Sequence, residues 1–109
     1  MEKILIIDDS PLQAAQLSDI LSDEYEIDTE QTAEAGFELA RAGNYSLILL
    51  DVVMPGMDGF TLLKILQEEN NTKTVPVIMI TALSDIEHEQ RGLTLGAVDY
   101  ISKPFSPLI

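Results

Sequence analysis

An unbroken apolar run, LILL at residues 47–50, delivers a lone acid, Asp51, into a loop broken by Pro55, Gly56 and Gly59. A run of this length, with no polar alternation and with turn residues at its end, reads as a β-strand buried on both faces, the kind found in parallel sheets. Such a strand needs covering layers on both sides of its sheet, which makes the chain an α/β protein. It also puts Asp51 at the strand's carboxyl end. In open α/β sheets that rim is where ligands bind, because loops and helix N-termini converge there.

The remaining segments supply the layers. Residues 3–7 form another buried strand, ending in Asp8 and Asp9; Ser10 then caps a helix with Pro11 at its first position, where a missing N–H costs nothing. Ala14, Leu17 and Leu21, with Ile20 beside them, form the inner face of that helix. Residues 25–29 alternate as a strand, and their charges mark it as an edge strand. Thr32 caps a second helix, in which Ala33, Phe37 and Ala40 recur at helical spacing, and Asp58 caps a third, with Leu62, Ile65 and Leu66 facing inward. Residues 70–74 read as an exposed polar loop, and residues 75–80 as a strand that ends in Thr81 and Ala82. Ser84 and Glu87 make a capping box for a fourth helix, which Gly92 weakens by about 1 kcal/mol. Residues 98–102 form a fifth strand, followed by Lys103 and Pro104, and Ser106 and Pro107 open a helix at the last residues of the sequence. Strand and helix thus alternate five times, which predicts a doubly wound parallel five-stranded sheet with right-handed crossovers and a last helix that is absent or truncated.

At 109 residues the chain is one domain. It has no cysteine, so disulfides and thiolate metal sites are excluded and the reducing cytoplasm is the natural compartment. No apolar run approaches the roughly 20 residues of a membrane span. Nineteen acids against six basic residues give a net charge of −13, a surface that repels nucleic acid and anionic lipid.

Four of the five strand ends carry polar residues: Asp8 with Asp9, Asp51, Thr81 and Lys103. Each has an ordinary explanation. Asp8 or Asp9 could cap the first helix, Asp51 could be a turn residue, Thr81 could be a cap and Lys103 a surface lysine. A parallel sheet, however, collects all of them on one rim. Three carboxylates held about 5 Å apart repel by roughly 3 kcal/mol per pair at an effective dielectric near 20, so they need either raised pKa values or a cation. An oxygen-only, partly open acidic pocket suits Mg²⁺. Calcium also takes oxygen ligands, but the loop after Asp51 lacks the ligand spacing of a helix-loop-helix calcium site. With a cation beside it, a carboxylate can attack phosphorus, and Thr81 and Lys103 are placed to donate to the phosphoryl oxygens. No histidine, serine or cysteine is positioned as a rival nucleophile; His88, the one histidine, falls on the polar part of the fourth helix.

Asp8 and Asp9 after the first strand, DVVMPGMDG at 51–59, Thr81 with Ala82, and DYISKPF at 99–105 together resemble the response-regulator receiver domains of two-component signalling, over nearly the full chain. The resemblance implies a flavodoxin-like sheet of order 2-1-3-4-5. It implies Asp51 as phosphoacceptor from a sensor histidine kinase or phosphotransfer protein, and Mg²⁺ held by Asp9, Asp51 and the Val53 carbonyl, with Asp8 acting largely through water. It also implies Thr81 and Lys103 as phosphoryl ligands, Tyr100 as an aromatic switch that turns inward as Thr81 moves, and a cis peptide between Lys103 and Pro104. Periodicity alone reads Tyr100 as an ordinary strand aromatic, and most X-Pro bonds are trans.

The departure from the family lies at the C-terminus, where the last helix stops after its first residues. Three explanations are open: residues 1–109 are the receiver domain of a longer regulator with an output domain, the helix was removed, or a neighbouring chain covers the gap in a homodimer. The first is the one adopted. Function then divides three ways. A phosphorylation-dependent switch acting on an output domain or a downstream protein is favoured. An aspartyl-nucleophile phosphatase needs a second acid two residues after the nucleophile, where this chain has Val53. A scaffold that works without phosphorylation leaves the acidic set without a purpose.

Overall fold

The computed structural model describes residues 2–54, 56–82, 90–91 and 93–103, and for residues 81, 82, 102 and 103 the backbone alone. In chain order the elements are β1 (Lys3–Ile7), α1 (Pro11–Leu21), β2 (Glu26–Glu30), α2 (Ala33–Ala42), β3 (Leu47–Asp51), α3 (Gly59–Glu68), β4 (Val77–Ala82) and β5 (Asp99–Lys103). The five strands form one sheet in the order β2-β1-β3-β4-β5, and every pairing is parallel. The doubly wound α/β architecture expected from the apolar runs is therefore the observed one.

Strand alternation divides the core in two. Leu5, Ile7, Ile48, Leu50, Val77 and Met79 face the side covered by α2 and α3, while Ile4, Ile6, Leu49 and Ile80 face the side of Ala14 and Leu17 from α1. The helices α1, α2 and α3 begin where the sequence says they should. Ser10 accepts from the Gln13 N–H at 3.3 Å, Thr32 from Ala35 at 3.2 Å and Asp58 from Thr61 at 2.9 Å, each satisfying a backbone donor that the first turn leaves open.

Several expectations need correction. The second, fourth and fifth strands run Glu26–Glu30, Val77–Ala82 and Asp99–Lys103, one or two residues later than residues 25–29, 75–80 and 98–102. Val75 packs against the core without being strand, and Pro76 offers the sheet only its carbonyl, which accepts from the Ile48 N–H at 3.0 Å. Ile65 is half-buried rather than inward-facing; Phe60 and Leu63 take the interior positions of α3 with Leu62 and Leu66. The loop at residues 70–74 is not wholly exposed. Thr72 is 1% exposed because its hydroxyl donates to the Leu66 carbonyl at 2.6 Å, satisfying an acceptor that the end of α3 leaves open. Gln90, Arg91, Leu93 and Thr94 are helical, while the Ser84 and Glu87 capping box, His88, Gly92, Pro104 and the helix opening at Ser106 lie outside the described residues.

One partly buried polar contact ties the edge strand to the body. The Tyr45 hydroxyl donates to Asp28 Oδ2 at 2.6 Å, and Lys3 Nζ lies 4.9 Å from the ring centroid. Burial first, then the hydrogen bond to Asp28 and the negative charges of Asp28, Glu30 and Glu26, push this phenol well above its ordinary value of 10.0. The folded chain thus keeps its proton where the unfolded chain ionises, so this contribution is complete below about pH 10 and is lost as pH rises beyond it. Urea unfolding at pH 8 and pH 11 should show wild type losing stability between the two, and Tyr45→Phe losing measurably less.

Candidate functional site: an acidic pocket at the carboxyl rim

Asp51 is the last residue of β3, opposite Ile80 of β4, and Ile7 of β1 pairs with Leu50. Continuing that register by one residue brings Asp8 beside Asp51. The consequence is a cluster: Asp8, Asp9 and Asp51 each offer a carboxylate oxygen, all within 4.8 Å of one another. Asp8 is 0% and Asp51 3% exposed, while Asp9 is exposed, so the pocket has a buried floor and an open lip. Asp8 Oδ1 also accepts the Ser10 N–H at 2.9 Å and so orders the turn that enters α1, while the side chain that caps the helix is that of Ser10.

The other strand-end residues are placed by backbone register alone. Thr81 follows Ile80, the partner of Asp51, and pairs with Ser102, while Ala82 pairs with Lys103. β4 and β5 thus end on the same rim as the acids. The side chains of Thr81 and Lys103, and the peptide to Pro104, lie outside the described residues. Val53 is 66% exposed on the loop after β3, and Tyr100 is 37% exposed on β5.

Two features of the site were not legible as motifs. Gly59 donates its N–H to the Val52 carbonyl at 2.8 Å, closing the loop that Asp51 opens, and a Cβ there would lie 2.8 Å from Val52 Cα and overlap the Asp51 carbonyl oxygen. The Arg91 guanidinium lies 4.3 Å over the ring of Phe60, the next residue. The Thr61 backbone N–H, chiefly, with help from the Arg91 charge, lowers the Asp58 carboxyl below its ordinary 3.8. A small residue after a capping Asp hints at the first of these; an exposed arginine on a polar helix gives no hint of the second.

Residues 4–108 match the family model described as the response regulator receiver domain. The chain belongs to that family. Among curated relatives, the receiver is 40% identical over 107 residues to a probable cyclic di-GMP phosphodiesterase of Vibrio cholerae, a match covering 97% of this chain and 24% of that protein. It is 36% identical over 105 residues to the transcriptional regulatory protein CusR of Escherichia coli, covering 95% and 45%. The receiver spans less than half the length of either relative. Among solved structures, the Vibrio cholerae chemotaxis protein CheY4 superposes with a TM-score of 0.91 at 32% identity, over 99% of this chain and 91% of that one. A putative response regulator from Chloroflexus aurantiacus gives 0.93 at 34% identity, over 98% and 88%. Among the described residues of this receiver, no helix is long and apolar enough to cross a membrane.

Proposed function

We propose that this receiver is a Mg²⁺-dependent phosphorylation switch in the cytoplasm, with Asp51 as phosphoacceptor, and that it is the receiver portion of a longer regulator. The observation that carries the reading is the convergence of Asp8, Asp9 and Asp51 within 4.8 Å, two of them buried. That donor set fits a hard divalent cation: it is all oxygen, carries three negative charges and is open on one side. Asp9, Asp51 and the Val53 carbonyl would hold Mg²⁺, with Asp8 behind them. When bound there, the cation supplies positive charge that offsets the repulsion between the carboxylates and an incoming phosphoryl group.

In the transfer, an Asp51 carboxylate oxygen forms a bond to phosphorus while the bond from phosphorus to the donor's imidazole nitrogen breaks. The electron pair returns to that nitrogen. The donor is the phosphohistidine of a sensor kinase or phosphotransfer protein. Thr81 and Lys103, at the ends of β4 and β5, donate to the phosphoryl oxygens, and Tyr100 turns inward as Thr81 shifts. Two charge-assisted hydrogen bonds made only after transfer contribute about 1.5–3 kcal/mol each, against the roughly 5.5 kcal/mol that reverses a two-state equilibrium from 1:99 to 99:1. Together, at about 3–6 kcal/mol, they supply much of the bias that redirects binding to an attached output domain or a downstream protein.

The test is chemical. Protein incubated with Mg²⁺ and acetyl phosphate should gain the mass of one phosphoryl group, and Asp51→Asn should gain none. A mass gain on the Asn variant, or none on wild type, overturns the assignment, the second outcome pointing to a scaffold. Rapid turnover of an external phosphoester would point to a hydrolase.

A further inference from the structure

α2 and α3 cover the same side of the sheet without closing completely on each other, and a groove of about 220 Å³ runs between them. Leu62, 0% exposed, lies at its floor, and the half-buried Phe37, Ile65 and Met57 wall it. The residues that reach solvent along it are two acids of α2, Glu34 and Glu38, one turn apart. Among the described residues no basic side chain lines it. The volume is below the roughly 300–1,000 Å³ of a pocket for a drug-sized ligand, so the groove has room for one or two apolar side chains rather than for a whole small molecule.

Charge decides what carries those side chains. The chain's own Arg41 shows which group the rim accepts: its guanidinium lies 5.8 Å from the Phe37 ring centroid and its Nη2 3.4 Å from Glu38 Oε2. Glu34 has no such ion pair among the described residues. A second copy of the chain would bring another net charge of −13 to an acidic rim, and anionic lipid would be repelled in the same way. The long walls are helices and present no sheet edge to which an extended strand could add, so the fitting partner lays down the apolar face of a helix. We infer that the groove between α2 and α3 is a docking site for a basic amphipathic helix of a partner protein. Apolar side chains of that helix enter between Phe37 and Ile65 while its lysines or arginines meet Glu34 and Glu38. The groove shares no lining residue with the cluster of Asp8, Asp9 and Asp51.

The probe is a fluorescein-labelled peptide of leucine and lysine about 18 residues long, roughly five helical turns with all leucines on one face. Titrated with the metal-free receiver it should bind, and the backbone amide signals that move should cluster at Glu34, Phe37, Glu38, Met57 and Ile65. Glu34→Lys, at an exposed position, should weaken binding about 3- to 10-fold, since one favourable exposed pair becomes an unfavourable one. Asp19→Lys makes the same change in net charge at an exposed position of α1, across the sheet, and should stay within about 2-fold of wild type. A peptide with serine in place of leucine should bind at least about 10-fold more weakly, because burial of even one leucine contributes that much. No binding by wild type, equal losses in Glu34→Lys and Asp19→Lys, full binding by the serine peptide, or signals that move elsewhere would each overturn the inference. So would a dimer in sedimentation without peptide whose formation moves the same signals, which would give the groove to a second copy. An alkylguanidinium ion that binds as tightly as the peptide would make it a small-molecule site instead and overturn the inference too. None of these readouts needs Mg²⁺ or a phosphoryl donor, so failure here leaves the proposed role of Asp51 standing, and failure there leaves the groove.

Discussion

Asp8→Asn is expected to raise the melting temperature measured without metal and, in the same molecule, to abolish most of the response to Mg²⁺. The two effects have one source. Three carboxylates whose oxygens lie within 4.8 Å of one another, two of them buried, are a standing repulsion in the folded chain. At an effective dielectric near 20 each pair costs about 3 kcal/mol, less where the exposed Asp9 is screened by water. The substitution removes one charge while Asn Oδ1 can still accept the Ser10 N–H that Asp8 now binds at 2.9 Å, so the entry to α1 is kept. For a domain near this size each kcal/mol gained moves the melting point by about 4–8 °C. Affinity for Mg²⁺ should fall roughly 10- to 100-fold, as when a partner just behind metal ligands is lost, and adduct formation from acetyl phosphate should slow with it. Calorimetric melting and Mg²⁺ titration check both halves. A metal-free melting point below wild type, with Mg²⁺ affinity unchanged, would show that the three acids do not share a cation.

Gly59→Ala should act in the opposite direction on stability while also slowing the chemistry. In a helix, alanine ordinarily stabilises by up to about 1 kcal/mol relative to glycine. Here the added methyl would overlap the Asp51 carbonyl oxygen and stand 2.8 Å from Val52 Cα and 3.0 Å from the Asp51 carbonyl carbon. All three are backbone atoms at a buried strand end, with no side chain that could swing aside. Overpacking of this kind costs about 1–3 kcal/mol, so the variant should melt at least several degrees lower. The forced shift also falls on the residue that bears the proposed nucleophile, where a displacement of about 1 Å can slow a reaction by about 100-fold. Thermal melting and the rate of adduct formation are the two readouts, and a stabilised variant with an unchanged rate would exclude the wedge.

The parts of the fold that could be read early were those encoded within a few residues. LILL before Asp51 announced a strand covered on both faces, and Ser10, Thr32 and Asp58 announced their helices because a cap bonds only two or three residues ahead. Strand limits were less legible. An apolar run records burial, whereas a strand ends where its neighbour stops pairing: Val75 is apolar and packed but not strand, and Thr81 and Ala82 are strand because Ser102 and Lys103 lie alongside. Thr72 misled for a related reason. Its polarity suggested solvent, but its hydroxyl had a distant carbonyl to satisfy.

By itself the sequence determined which residue types stand at the carboxyl ends of the strands, since alternation of strand and helix is local and right-handed crossovers point all parallel strands one way. It thereby determined that acids, a hydroxyl and an ammonium would share one rim. Only the tertiary structure decided how close the acids come. The 4.8 Å cluster of Asp8, Asp9 and Asp51 follows from β1 and β3 being neighbours in register, a pairing between segments some forty residues apart. The wedge of Gly59 on Asp51 and the stacking of Arg91 on Phe60 likewise depend on approaches that no short stretch of sequence encodes, because they are fixed by packing between elements rather than by the propensity of either.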